Sequence, residues 1–154
     1  MYMIKKILKA IGITFLVLLS LALVVGIWAG YKSAEYEDTA VPYMARAIPE
    51  ISKWHPEIMK SYMAPETLAE VSDEDFLEMV NILAKMGALI STEEPVFQKV
   101  NTTSTMQTGS MTLVTYQVPA KYEHGDANLT VVLKEKGDSF EVFYFHVESM
   151  ALFK

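Results

Sequence analysis

"SDEDFLEMVNILAKMG", residues 72–87, is the last stretch of this chain that repeats with the period of a helix. Ser72 is a capping residue, and Asp73, Glu74 and Asp75 sit where the positive end of a helix dipole favours carboxylates. Phe76, Val80 and Leu83 form a stripe at helical spacing, widened by Met79 and Met86, and Gly87 supplies a stop. Beyond it the period drops to two. "VFQKVNTTSTM" (96–106), "GSMTLVTYQVPAKYE" (109–123), "DANLTVVLKEK" (126–136) and "DSFEVFYFHVESM" (138–150) are rich in β-branched and aromatic residues. Turn signals at Gly109, His124-Gly125-Asp126 and Lys136-Gly137-Asp138 separate them. Connections this short make an antiparallel meander. Helices first and strands afterwards predict an α+β fold, with helices on one face of a curved four-stranded antiparallel sheet.

Upstream, "VPYMARAIPEISKWHPEIMKSYMAPETLAEV" is punctuated by Pro42, Pro49 and Pro56. Proline fits the first turn of a helix and breaks its interior, so this segment predicts several short helices or one kinked helix. Ile48, Ile51, Trp54, Ile58 and Tyr62 would face inward.

The N-terminus is of another kind. From Ala10 to Gly30, 21 residues carry no charge. At about 1.5 Å per residue the run spans roughly 30 Å, the thickness of a bilayer core. Lys5, Lys6 and Lys9 precede it, and Trp28 and Tyr31 stand at its far end, where amphipathic rings favour the interface. A cleaved signal peptide has a shorter apolar region and a small-x-small site, so the run reads as an uncleaved anchor. The lysines place the N-terminus in the cytoplasm by the positive-inside rule. The expected organisation is a transmembrane anchor over residues 1–31, a tether over 32–40, whose polar, acidic sequence either continues the anchor helix or forms a short connection, and an α+β domain over 41–154. The expected location is a bacterial inner membrane, crossed once, with the domain in the periplasm. Gly26 and Gly30 form G-x-x-x-G, and Ala22 extends the row by one turn, a seam for a partner helix or for self-association.

Charge and composition exclude several function classes. Of 13 basic residues, three precede the uncharged run, which leaves ten against all 19 acidic ones, close to −9. Such a surface repels phosphates, so nucleic acid is not an expected partner. With no cysteine, thiol catalysis and iron–sulfur ligation are ruled out. The three histidines, His55, His124 and His146, fall in no metal-ligand spacing, and neither a metal nor a cofactor is expected. No nucleophile elbow, P-loop or dinucleotide fingerprint occurs.

His146 is the histidine whose position carries an argument. In an uninterrupted strand it shares a face with Phe140, Val142 and Tyr144. A bulge near Phe143 or Tyr144 would instead put Phe140, Val142, Phe145 and Val147 on one core face and turn His146 outward beside Tyr144 and Glu148. The exposed placement is the expected one, with Phe145 in the core. Trp54, Tyr62, Phe97, Tyr116, Phe140 and Phe145 fill a core or line an apolar pocket, and core is the expected use.

The order of elements, with "MAPETLAEV", a helix ending in Gly87 and four strands closing on "SFEVFYFHVES", resembles the small cone-shaped domains of the nuclear transport factor two-like and cystatin-like superfamilies. That resemblance covers about residues 36–152 and implies ketosteroid-isomerase-like enzymes, binding modules or assembly factors as possible kinds of function. Two expectations follow. The first is a non-enzymatic interaction or assembly module held near membrane partners. The alternative is a pocket protein that binds or isomerises a small apolar ligand with His146, Tyr144, Tyr116 and Trp54.

Overall fold

The computed structural model of the chain describes residues 1–106 and 109–153, and their side chains except those of residues 25, 26, 28–33 and 105. The chain forms two units, Met1–Glu35 and Tyr36–Lys154.

Apart from Met1, the first unit lies within helix α1 (Tyr2–Glu37). Among the described residues α1 is the one helix long and apolar enough to cross a membrane, over Tyr2–Val24. Ala22 is exposed; the surroundings of Gly26 and Gly30, the other two positions of the small-residue seam, lie outside the described residues.

The second unit is α+β. Prolines cut its helical part where their chemistry requires. Helix α2 (Ala40–Ile51) carries Pro42 in its first turn and Pro49 in its last, and stops two residues later. Helices α3 (Pro56–Tyr62) and α4 (Pro65–Ala69) each begin with proline, whose missing N–H is not needed there. Helix α5 (Asp73–Leu83) is capped by Ser72, whose hydroxyl accepts from the Asp75 N–H at 3.1 Å.

The four strands read from the sequence are β2 (Val96–Thr105), β3 (Gly109–Tyr122), β4 (Gly125–Lys136) and β5 (Ser139–Glu148), paired antiparallel in chain order. A fifth, β1 (Leu89–Thr92), pairs with the far end of β3. Because β4 occupies the other side of β3, β1 and β2 lie along one edge, a single row broken at Pro95. The sheet therefore has five strands in four rows.

Alternate residues of the sheet turn inward: Val114, Tyr116, Val118 and Tyr122 from β3, and Leu129, Val131 and Leu133 from β4. Helices α2 and α5 cover them with Met44, Ile48, Ile51, Phe76, Val80 and Leu83. The expected bulge is present in β5. Val132 pairs with Tyr144 and Leu133 with Val142, so Phe143 has no opposite residue. The slip sets Phe140, Val142 and Val147 in the core and turns His146 out. Phe145 is only partly buried, at the margin of the core it was expected to occupy.

In residues 32–40, the segment expected as a tether, the continued-helix reading holds for the first part. The backbone is helical through Glu37, and Tyr36 (5% exposed) and Ala40 (0%) are core residues, with the Tyr36 ring 6.4 Å from that of Phe140. An acidic local composition hid two residues that tertiary packing captures.

One core residue carries a polar group that no described residue satisfies. Tyr116 is 2% exposed, its ring edge-on to Phe97, and its hydroxyl has no hydrogen-bond partner among the described residues. Burial, reinforced by the Glu37 carboxylate, pushes that hydroxyl up to about 12. Tyr43 is held at about 12 chiefly by the same burial. Tyr116→Phe is expected to raise stability by about 1 kcal/mol, because it deletes an acceptor and donor left unpaired in the core. Both tyrosines also set the alkaline limit. The unfolded chain ionises its tyrosines near pH 10 while these two stay neutral. Stability is thus complete below pH 10 and is lost between there and about pH 12. Denaturant midpoints at pH 8 and 11 check both statements; a lower midpoint for Tyr116→Phe at pH 8 would mean that the hydroxyl is paired.

Candidate functional site

Pro65 starts α4 directly after Ala64, whose extended backbone lies against the edge of the sheet. The Ala64 N–H donates to the Val142 carbonyl at 2.8 Å, and the Thr67 hydroxyl donates to the Phe143 carbonyl at 2.6 Å. Met63 makes an isolated parallel bridge with Val142. The α3–α4 segment thus covers the free edge of β5 as far as the bulge. From Tyr144 to Glu148, no described segment pairs with that edge.

Where the covering stops, a groove of about 310 Å³ opens between α4, α5 and β5. Leu68 and Val71 form one wall, Phe76 and Met79 another, and the bulge residue Phe143 with Tyr144 and Phe145 completes it. Val71, Met79 and Tyr144 stay 38%, 36% and 48% exposed. Beneath, a crevice of only about 10 Å³ runs among Met59, Met63, Met79 and Phe145, so the groove ends on a filled core. Methionine walls adapt their shape readily, which suits a surface that accepts an irregular apolar occupant.

The groove is lined by acidic side chains and, among the described residues, by no basic one. Glu66 and Glu70 line it. The Lys134 ammonium donates to Glu66 Oε1, and that hydrogen bond holds the carboxyl below the usual carboxylate range, while Oε2 is buried with no hydrogen-bond partner among the described residues. Lys134 also lies 3.9 Å from Glu141, and Lys60 is held by Asp73 at 2.9 Å. Glu70 has no ion-pair partner among the described residues, nor has Asp75, one turn before Met79 on the same face of α5.

The four residues of the pocket expectation do not converge. His146 is exposed, stacked on Tyr144 with ring centroids 6.1 Å apart and planes 11° apart. Tyr116 is sealed on the opposite, core face. Trp54 belongs to another corner. Its indole N–H donates to the Gly87 carbonyl at 2.8 Å and its ring lies 5.6 Å from that of Tyr122, whose hydroxyl meets Ser52 at 2.9 Å. These contacts hold Trp54 at φ 57°, the one non-glycine residue with positive φ among those described. A cleft of about 450 Å³ beside Trp54 is lined by Pro49, Lys53 and His55 among others. Of the four, Tyr144 alone reaches the groove. No group of three or more His, Asp or Glu side chains that could hold a metal occurs among the described residues.

Residues 63–71, 76–79 and 143–145 meet only in three dimensions, so no local pattern announces the groove. Two signals point toward it. Phe143 belongs to neither face once the bulge is drawn, and Val71 follows the α4 region without a place in any stripe. No protein-family model matches this chain, and no characterised protein matches it in sequence.

Proposed function

We propose that this protein is a single-pass, membrane-anchored interaction module that works outside the cytoplasm without catalysing a reaction. The observation that carries the reading is the exposed apolar groove between α4, α5 and the bulge of β5. Exposed apolar surface rimmed by polar groups is characteristic of interaction sites, and here it adjoins an unpaired strand edge. The long apolar helix supports the anchor, and the three lysines before it support an N-terminus in the cytoplasm of a bacterium with the domain in the periplasm. The order of elements supports the likeness to the nuclear transport factor two-like and cystatin-like domains, among which binding modules occur. The partner is another membrane protein, beside the lipid bilayer that holds the anchor.

The pocket reading draws on the groove volume, which stands at the low end for small-molecule sites. A groove open along a strand edge favours a macromolecule over an enclosed ligand.

Two measurements test the proposal. A reporter fused after Lys154 is expected to be active only in an extracytoplasmic compartment; activity in the cytoplasm would reverse the orientation. Purification of the full chain in mild detergent, followed by mass spectrometry, is expected to retain a stoichiometric protein with the wild type and with His146→Ala. The double variant Val71→Asn/Met79→Gln, which keeps charge and replaces only apolar contacts, is expected to lose it at least tenfold at an unchanged melting temperature. Equal retention by that variant, or no retained protein at all, would remove the groove from the function.

A further inference from the structure

We infer that the occupant of the groove is an extended segment of a second protein, apolar at alternate positions and flanked by lysine or arginine, bound as an added strand on the free edge of β5. This rests on the interaction reading above and specifies its partner.

Three observations select that occupant. The edge of β5 is closed by hydrogen bonds from Ala64 and Thr67 at Val142 and Phe143, and is open from Tyr144 to Glu148. Five residues of strand offer about 16 Å of pairing edge. A segment docked there gains backbone hydrogen bonds, and every second side chain points to one face. The groove lies beside the start of this open edge, its walls at Val71, Met79 and Phe145 placed to take apolar side chains.

Charge decides the flanks. Glu70 and Asp75 have no ion-pair partner among the described residues, and the nearby Lys60 and Lys134 are already engaged. An acidic segment would meet uncompensated carboxylates, whereas a basic one brings the missing counter-charge and accelerates encounter with a domain close to −9. A second copy of this chain is disfavoured by its charge: its own domain, also close to −9, is repelled from this one rather than drawn to the edge.

The experiment places the photocrosslinker p-benzoylphenylalanine at Tyr144, and separately at Val71, in the full chain in its native membrane. The adduct is then mapped to a residue. The expected result is a segment of another protein with alternating apolar residues and at least two lysines or arginines within about four residues, and an adduct reduced at least fivefold by Glu70→Lys/Asp75→Lys. A synthetic peptide of the mapped segment is then N-methylated at alternate residues. An added strand predicts at least a tenfold loss of affinity for one parity and little for the other. Adducts only with lipid or with a second copy, flanks that are acidic or neutral, or equal loss for both parities would overturn the inference. If the purification retains a partner that the groove variant loses and these outcomes still appear, the interaction reading stands and the strand-addition model alone fails.

Discussion

Phe76→Ala is expected to cost about 3–5 kcal/mol, the usual cost of emptying a large buried aromatic site. Phe76 is 3% exposed and anchors α5 to the core through its first inward turn. The Lys60 ammonium sits 5.3 Å from the ring centroid while bonded to Asp73, so the ring also supports the link from α3 to the start of α5. Because a domain of this size is stable by only about 5–15 kcal/mol, the variant stands near the limit of folding. The volume-conserving change Phe76→Leu keeps most of the packing and is expected to cost roughly 1–2 kcal/mol. Urea denaturation with an unchanged m value is the measurement. A loss below about 1 kcal/mol for Phe76→Ala would show that α5 is held by other contacts and that the groove floor does not depend on this ring.

Gly87→Ala is the second large effect, expected at roughly 2–4 kcal/mol, from a conformation almost confined to glycine and a steric clash together. Gly87 has φ 77° and ψ −160°. A Cβ there would stand 2.7 Å from the His124 ring and 2.9 Å from the Glu123 Cβ. The ring can swing away, but the Glu123 Cβ is fixed to a backbone pinned on both sides. The Glu123 N–H donates to the Ala88 carbonyl at 2.9 Å and the His124 N–H to the Met86 carbonyl at 3.1 Å. His124→Ala should therefore relieve only part of the cost, and the double variant Gly87→Ala/His124→Ala should remain destabilised by more than about 1 kcal/mol through the backbone conformation alone. Full recovery in the double variant would assign the whole effect to the imidazole.

The parts of this fold that were legible in the sequence are those with a local cause. Ser72 and three acids mark the start of α5, alternation marks four strands, and the clash of parity around Phe143 marks the bulge. The parts that were not legible have causes elsewhere in the chain. Leu89–Thr92 is too short to alternate and becomes a strand because the far end of β3 offers it an edge. Tyr36 and Ala40 sit in a polar stretch and are buried by Phe140 and its neighbours. Phe145 fits the core face by parity, yet the groove beside it keeps it partly open. Of the proposed ligand residues, Tyr144 and His146 are two apart on one face and do meet. Tyr116 and Trp54 were grouped with them by residue type, and the sheet separates them.

The burial of Tyr36 fixes where the chain can be cut. A fragment starting at Val41 discards an aromatic ring that packs on Phe140 and an alanine that no solvent reaches. It would open a hole where β5 begins. A fragment starting at Ala34 keeps both and leaves behind most of the long apolar helix. A protease that frees the domain without unravelling it must likewise act before Tyr36. The boundary between the long apolar helix and the α+β unit is thus set by side-chain packing, several residues earlier than the change in composition suggests.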